Sequence, residues 1–524
     1  MTLLYEWLDR AARDRGNEKA LIYRDNYLSW RGLKHRVERR VQEFQGMGLK
    51  QGEWVGLMLG NVPDFAILTL ALSRLGVTVV PIDPTTGSRE LELALDAVPL
   101  RALITRPRGS DQTMPLDPAA RRAQVEDDRK KPDPPENRRR LQGTLLTCSI
   151  FKDPKDQGTV QVDAVPPPKG ARRTATVGAP RKSAKAATGS RDLTALLALF
   201  TSDSAGDPKA VLRTRENLEA IAAISTTALE LDKDDVVLCA VPLFHSYGWD
   251  LGFLPALALG ATVYLEEELS ARRIAKILRE QEIDVLPGTP TLYAGLAKVP
   301  VAKPLRRKNA RFISAGSALP LEVAESFHAR YGVRLMSAYH TTEAGPLSLD
   351  RTSKNPESVG KVLDGVDFRL TGPSGEKLSA TADGVIWARG KSVSPKTLGP
   401  FPPMVSRPGR VPVGGRDEDG WLRTGDLGRL DRTGRLFLVG REDDLVKVDG
   451  KRVALGEVES CLESFPKVRR AQARVISDPL TGPMVIAKVV AGGKCKAEDI
   501  IDHCARNLAP YKVPRRIEFC ERLG

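Results

Sequence analysis

Apolar runs of strand length alternate with amphipathic stretches of helical length over most of this chain, and no other feature restricts its fold as strongly. The order begins Ala20-Leu21-Ile22-Tyr23, a helix through Trp30 to Phe44, Trp54 to Leu59, a helix from Pro63 to Leu75, and Val77 to Ile82. It resumes with Ala195 to Phe200, a helix after Thr214, Val236 to Val241, Ala261 to Glu266, Asp284-Val285-Leu286 and Phe312-Ile313-Ser314. Strands separated by helices pair in parallel, so the pattern predicts an α/β fold: a large multi-layer N-terminal domain with parallel-rich sheets and helices on their faces. Gly and Pro punctuate short strands from about Gly360 to Gly440. Residues 444–524 then carry a compact α+β pattern of their own: Leu445 to Val448, a helix from Leu455 to Phe465, Val468 to Ile476, Met484 to Val490, and a helix from Ala497 to Leu508. The expected division is a large domain over 1–442 and a small one over 443–524, with no internal repeats.

At 524 residues the chain is long enough for several domains of roughly 150 residues. With 41% hydrophobic and 28% charged residues, it is neither disordered throughout nor fibrous. No apolar run approaches the roughly 20 residues of a spanning helix. Met1-Thr2-Leu3-Leu4-Tyr5-Glu6-Trp7 lacks the basic start of a signal peptide, so a cytoplasmic location is expected. Six scattered cysteines, Cys148, Cys239, Cys461, Cys495, Cys504 and Cys520, form no CxxC pair and read as reduced thiols, with no Cys/His metal site.

The net charge of +14 is uneven, because residues 101–192 hold 20 Lys and Arg against 11 Asp and Glu. That stretch also contains Pro132-Asp133-Pro134-Pro135, Pro166-Pro167-Pro168-Lys169 and an Ala/Lys/Arg/Thr-rich run. It reads as a flexible basic insertion over about 106–192, either a solvated loop or a docking arm for an acidic partner. The remainder is only mildly basic, and nucleic acid is not an expected partner.

The strand Leu196 to Phe200 runs into Thr201-Ser202-Asp203-Ser204-Ala205-Gly206-Asp207-Pro208-Lys209. A small hydroxyl-rich turn with a lysine at a strand end can offer N–H groups, hydroxyls and a cation to phosphate, although the Walker spacing is absent. Downstream follow Phe244-His245-Ser246-Tyr247-Gly248, Ser314-Ala315-Gly316-Ser317, Tyr339-His340-Thr341-Thr342-Glu343, Arg423-Thr424-Gly425-Asp426, and Gly440-Arg441-Glu442-Asp443-Asp444 with Lys447 and Gly450. In this order, over nearly the whole chain, these segments resemble the adenylate-forming superfamily of acyl- and aryl-CoA synthetases, peptide-synthetase adenylation domains and beetle luciferases.

The resemblance implies a role for each position. Thr201, Ser202, Ser204, Gly206 and Lys209 would grip the β- and γ-phosphates of ATP. Tyr339 would stack on adenine, with Gly316 also on the nucleotide side. Thr342 would bond the α-phosphate, and Glu343 would hold Mg²⁺, which shields phosphate charge. Asp426 would accept the ribose hydroxyls, with Arg441 as a second ribose contact. Asp443 would be the hinge of a small mobile C-terminal domain. Lys447 and Gly450 would face the thiol, Gly450 letting the pantetheine arm of coenzyme A, or of a carrier protein, pass close to the backbone. His245, Tyr247, Trp249 and Ala315 would border the pocket for a small carboxylic acid. Phe244-His245-Ser246 stands where amino-acid activators carry an Asp, so an α-amino acid is not expected, and Tyr247 and Trp249 would shorten the pocket toward an aryl or medium-chain acid.

Three features depart from the superfamily pattern. Asp203 replaces a Gly and Ala205 a Thr in the phosphate turn; a carboxylate facing triphosphate is repelled by about 1 kcal/mol in water at 4 Å and by more in a less polar site. His340 replaces a Gly. The lysine that bridges carboxylate and α-phosphate lies beyond the position of Gly524 in relatives, and Lys512 precedes that position; loss of such a group costs on the order of 10²–10³ in rate. The leading expectation is an ATP-dependent acyl- or aryl-CoA (or carrier-protein) ligase acting through an acyl-adenylate. The alternatives are an acyltransferase from CoA to a carrier protein that no longer adenylates, and a silent nucleotide- or acyl-binding module.

Overall fold

The structure is a computed structural model and describes residues 2–86, 88–105, 144–147, 163–164, 194–201, 208–301, 303–305, 309–352, 355–372, 375–378, 381–399, 411, 413–442, 445–448, 451–478, 482–508 and 512–523. The chain divides into two units: residues 1–347 with 363–365 and 391–403, and residues 348–362 with 366–390 and 404–524.

Two parallel-rich sheets build the first unit. One runs through strands β1 (Lys19–Tyr23), β2 (Asn26–Ser29), β10 (Val236–Cys239), β11 (Thr262–Leu265), β12 (Val285–Gly288), β13 (Arg311–Ser314) and β14 (Leu335–Thr341), in the spatial order β2-β1-β11-β10-β12-β13-β14. Its pairs are parallel from β1 to β13 and on to β14, and only β2 returns antiparallel. The other contains β3 (Trp54–Met58), β4 (Thr78–Pro81), β5 (Leu100–Thr105), β6 (Thr144–Thr147), β7 (Asp163–Ala164), β8 (Ala195–Thr201), β9 (Lys209–Thr214) and β19 (Thr397–Leu398). Its order is β19-β9-β8-β4-β3-β5-β6-β7.

Strands buried on both faces carry continuous apolar runs, as in Leu196-Leu197-Ala198-Leu199, because helices cover a parallel sheet on either side. The covering helices start on side-chain caps. Ser29 accepts from Gly32 N at 3.1 Å before Trp30–Gly46, and Thr214 forms a capping box with Asn217 at the head of Arg215–Ala228. Ser270 caps Ala271–Glu280, and Thr289 caps Pro290–Lys298, whose proline sits where the helix has no N–H to lose.

The second unit holds an antiparallel series with β16 (Ser358–Val362), β17 (Asp367–Thr371), β18 (Gly384–Arg389), β20 (Leu422–Leu430) and β21 (Leu436–Arg441). It also has the hairpin β22 (Leu445–Val448) and β23 (Lys451–Ala454), and a three-stranded sheet of β24 (Val468–Asp478), β25 (Gly482–Ala491) and β26 (Arg516–Phe519). Helices Leu455–Glu463 and Ala497–Asn507 bury Val458, Leu462, Ile500 and Cys504 against Val485, Ala487 and Val489, giving the C-terminal stretch a core of its own. Burial and the nearby Cys461 push the Cys504 thiol up to about 12, so it is an inert core thiol.

The fold is as expected: parallel-rich α/β sheets in the first unit, and an α+β stretch with its own core at the C-terminal end of the second. Within the segment read as a basic insertion, Thr144–Thr147 forms a strand parallel to β5, and Asp163–Ala164 pairs antiparallel with it; the rest of that segment, Cys148 included, lies outside the described residues. Among the described residues no helix is long and apolar enough to cross a membrane, and Cys239, Cys461, Cys495, Cys504 and Cys520 are free thiols.

Candidate active site

Strand β14 delivers the Tyr339 to Glu343 segment to the end of the parallel sheet, where strand termini in open α/β sheets present ligand-binding residues. Tyr339 is buried, and Thr342 and Glu343 are half-buried in the turn that follows. The Thr342 and Ser246 hydroxyls stand 2.9 Å apart. Thr341 Oγ1 accepts from Ala344 N at 3.1 Å, and the Glu343 carbonyl accepts from Ser394 N at 2.7 Å. The main chain of the turn is therefore tied on both sides.

A fully buried arginine lies behind the turn. Arg213 on β9 donates to the carbonyls of Ser392, at 2.7 Å, and of Thr342, and pairs with Asp250 Oδ2 at 3.3 Å. Burial lowers the Arg213 pKa, and the Asp250 and Glu343 carboxylates oppose that shift. His340 Nε2 reaches the same Asp250 oxygen at 2.9 Å. Sequence reasoning did not select Arg213 or Asp250. An arginine directly after the apolar run Ala210-Val211-Leu212, within a buried strand, is the available signal, since an isolated charge there must find a partner.

The phosphate turn is the connection of an antiparallel hairpin, with Thr201 on β8 opposite Lys209 on β9. Lys209 is nearly buried, and Thr201 half-buried. Ser202, Asp203, Ser204, Ala205 and Gly206 lie outside the described residues.

His245 stands exposed just before the helical turn Ser246–Gly248, its ring 4.6 Å from that of Phe244. Lost hydration lowers its imidazole below the usual range, against the pull of Asp83. Tyr247 is buried. Its hydroxyl bonds the carbonyls of Gly288 and Ile313 at 2.9 and 2.8 Å, which joins β12 to β13, and its ring lies 5.9 Å from that of His340. Trp249 begins a π-helical turn, Trp249–Phe253, and is fully buried beside Phe65 and Phe253. Trp249 is thus placed as a core aromatic. Ala315 is buried at the end of β13, and Gly316 next to it is exposed.

In the second unit Asp426 and Arg441 are cross-strand partners on β20 and β21, and Arg441 Nη1 lies 3.2 Å from Asp426 Oδ1. Thr424 Oγ1 accepts from Asp426 N at 3.1 Å and donates to Ile386 O at 2.9 Å, which fixes the carboxylate's strand. Gly425 has a φ of +82° and would place a Cβ 2.5 Å from Val413 Cγ1, so only glycine suits the position. Arg423, also buried, pairs with Glu442 at 2.6 Å, and Glu442 N donates to Gly425 O at 2.7 Å. Glu442 is therefore half of an ion pair that braces the Thr-Gly-Asp segment, a partnership its charged neighbours in sequence did not disclose.

Lys447 lies on β22 opposite Arg452 of β23, with its side chain outside the described residues; Asp443 and Gly450 also lie outside them. Among the described residues no cluster of three or more His, Cys, Asp or Glu side chains could cage a metal. A single half-buried carboxylate, Glu343, fits a magnesium ion that keeps phosphate and water oxygens as its other ligands, because Mg²⁺ seldom uses an all-protein cage.

Comparison with known proteins gives the family of the chain. The profile of the family described as AMP-binding enzyme matches residues 8–396, and that of the AMP-binding enzyme C-terminal domain matches residues 457–524. Crotonobetaine/carnitine–CoA ligase of Salmonella choleraesuis (strain SC-B67) is 26% identical over 515 residues, covering 96% of this chain and 93% of the relative. Feruloyl-CoA synthase of an Amycolatopsis species is 26% identical over 527 residues, covering 99% and 95%. O-succinylbenzoate coenzyme A synthetase from Bacillus subtilis, solved with ATP and a magnesium ion, superposes with a TM-score of 0.76 at 21% identity, over 99% of this chain and 96% of that one. At that identity the likeness speaks for the fold.

Proposed function

This chain belongs to the AMP-binding enzyme family, and from that premise we propose that it is an ATP-dependent acid–thiol ligase of the acyl-CoA synthetase type. One oxygen of a small carboxylic acid attacks the α-phosphorus of ATP, the bond to the bridging oxygen of pyrophosphate breaks, and an acyl-adenylate forms. A thiol then attacks the acyl carbon, AMP leaves, and a thioester remains. The observation that carries this reading is the half-buried Thr342–Glu343 turn at the end of β14, with its main chain pinned by Arg213 and by Ser394 N.

The chain's own groups have separable tasks. Thr342 donates to the α-phosphate from a hydroxyl already oriented by Ser246. Glu343 is the carboxylate suited to magnesium, which when bound neutralises charge on the phosphates. Tyr339 offers a ring face to adenine. Asp426, with its strand fixed by Thr424, accepts the ribose hydroxyls, and Arg441 is its neighbour in that role. Lys209, opposite Thr201, serves the outer phosphates. Lys447 and Gly450 are assigned to the thioester-forming face, with Asp443 as the hinge between a large domain over 1–442 and a small one over 443–524.

The acid is an aryl or medium-chain carboxylate bordered by His245, Tyr247 and Ala315, without Trp249, and coenzyme A is the favoured acceptor over a carrier-protein phosphopantetheine. Relatives along the whole length are named as CoA ligases and synthases, which supports a ligase over a CoA-dependent acyltransferase. The test is thioester formation followed by intact mass. A panel of acids with ATP, Mg²⁺ and coenzyme A is run beside the matching acyl-CoAs with a holo carrier protein and no ATP. Thioester in the ATP lanes is the expected result; product only in the ATP-free lanes overturns the ligase reading.

A further inference from the structure

Three buried side chains that no step above uses lie together behind the Thr342–Glu343 turn. The Arg213 and Asp250 side chains are 0% exposed, and that of His340 is 5% exposed. Asp250 comes from the π-helical turn, Arg213 from β9 and His340 from β14, so three separate elements meet at one carboxylate. Asp250 Oδ2 receives Arg213 at 3.3 Å and His340 Nε2 at 2.9 Å, while Ser225 Oγ donates to the Asp250 carbonyl at 2.7 Å. A Cβ added at Gly345 would lie 3.6 Å from Asp250 Oδ2, so the chain on the far side of the turn also closes on the carboxylate.

Such a cluster is poorly explained as a source of stability. Taking a carboxylate and a guanidinium out of water costs several kcal/mol per ion, and apolar residues in the same volume often do as well or better. What the cluster provides is geometry. The planar guanidinium spans two chain segments, taking the Ser392 carbonyl on Nη1 and the Thr342 carbonyl on Nη2. Ser394, two residues after Ser392, donates its N–H to the carbonyl of Glu343, the residue after Thr342, at 2.7 Å. Arg213 and that bond thus bracket the peptide on either side of Glu343. His340 lies on β14 two residues before Thr342, which opens the turn after the strand, and its ring bonds the same Asp250 oxygen as Arg213.

We infer that Arg213, Asp250 and His340 are positioning residues, which set the peptide planes of Thr342 and Glu343 and so hold the Glu343 carboxylate where a phosphate-bound divalent cation is captured. The inference rests on the reading of the site as a Mg·ATP site. Residues that orient a metal-binding carboxylate without touching the metal commonly govern metal affinity by about 10–100-fold.

The experiment measures ATP binding by calorimetry across a Mg²⁺ titration, with thermal melts on the same samples. The proteins are the full chain, Arg213→Leu/Asp250→Leu, Arg213→Lys, Glu343→Gln, and the triple variant combining the first pair with Glu343→Gln. The double variant is expected to melt near the wild type, yet to need at least about tenfold more Mg²⁺ for half-maximal ATP affinity. Arg213→Lys keeps a cation beside Asp250 but not the fork, so a smaller shift in the same direction is expected, and this variant carries the test if the double variant does not fold. In the Glu343→Gln background the double substitution should add no further shift, because the residue being positioned is gone. A wild-type Mg²⁺ requirement in the folded double variant or in Arg213→Lys overturns the inference, as does an undiminished effect without Glu343. A wild-type chain that binds no Mg·ATP at all overturns the underlying reading of the site instead, and the inference with it.

Discussion

Arg441 sits directly opposite Asp426 across the β20–β21 ladder, and its guanidinium reaches the carboxylate at 3.2 Å. In the proposed ribose-binding role of Asp426, this pairing would hold its carboxylate in one orientation. Asp426→Ala should therefore raise the ATP KM by roughly 10–100-fold, the value of one or two hydrogen bonds to a charged group, with little change in melting temperature. Arg441→Ala should have a smaller effect, because its side chain is 40% exposed and water can substitute for it. Steady-state kinetics of the two variants side by side check the order.

Removing one partner of the buried Arg213–Asp250 pair strands the other charge. Asp250→Leu alone should destabilise the first unit by about 3–5 kcal/mol, and Arg213→Leu/Asp250→Leu should recover most of that loss. Denaturant unfolding of both variants measures the difference. Equal destabilisation in the two would mean that packing rather than charge decides.

Glu6 in the helix Leu3–Asp14 accepts from both arms of the Arg215 guanidinium, at 3.1 and 2.6 Å, and Arg215 holds its carboxyl below the ordinary value of 4.5. The pair's stability is fully present above that value and is lost as the pH falls through the lowered folded pKa. Both side chains are partly exposed, so the contribution at neutral pH is under about 1 kcal/mol. Unfolding of Glu6→Gln across pH should show a small deficit at neutrality that closes as the wild-type carboxyl protonates.

Gly425→Ala places a methyl against Val413 at a left-handed backbone position and should cost about 1–3 kcal/mol. Because Asp426 is the next residue, the ATP KM should rise along with the loss of stability. Thermal melts and KM values measured together test that coupling.

Much of the scaffold was legible because strand and helix periods are local properties. The apolar run Ala195 to Phe200 became β8, and the helix expected after Thr214 runs Arg215–Ala228 on its own capping box. What was missed depends on partners distant in sequence. Strand β9 hides because Ala210-Val211-Leu212 is short and ends in an arginine whose value becomes plain only with Asp250, 37 residues on, and Thr342, 129 residues on. The strand Thr144–Thr147 hides inside a basic, proline-rich stretch, since four residues cannot outweigh that composition, and its pairing with β5 comes from the sheet edge. At the candidate site, the order of motifs singled out Tyr339, Thr342, Glu343, Asp426 and Arg441, and their roles stand as proposals. Spacing alone could not tell that Trp249 is sealed beside Phe65 while His245 is exposed, because that depends on partners distant in sequence.

The most direct measurement is exchange of radiolabelled pyrophosphate into ATP by the full chain with Mg²⁺ and a panel of aryl and medium-chain acids, with Glu343→Gln as its partner. Acid-dependent exchange in the wild type, reduced by at least about a hundredfold in the variant, is the predicted result. No exchange with any acid, from a chain that still moves acyl groups from coenzyme A to a thiol, would contradict adenylation as the chemistry of this site.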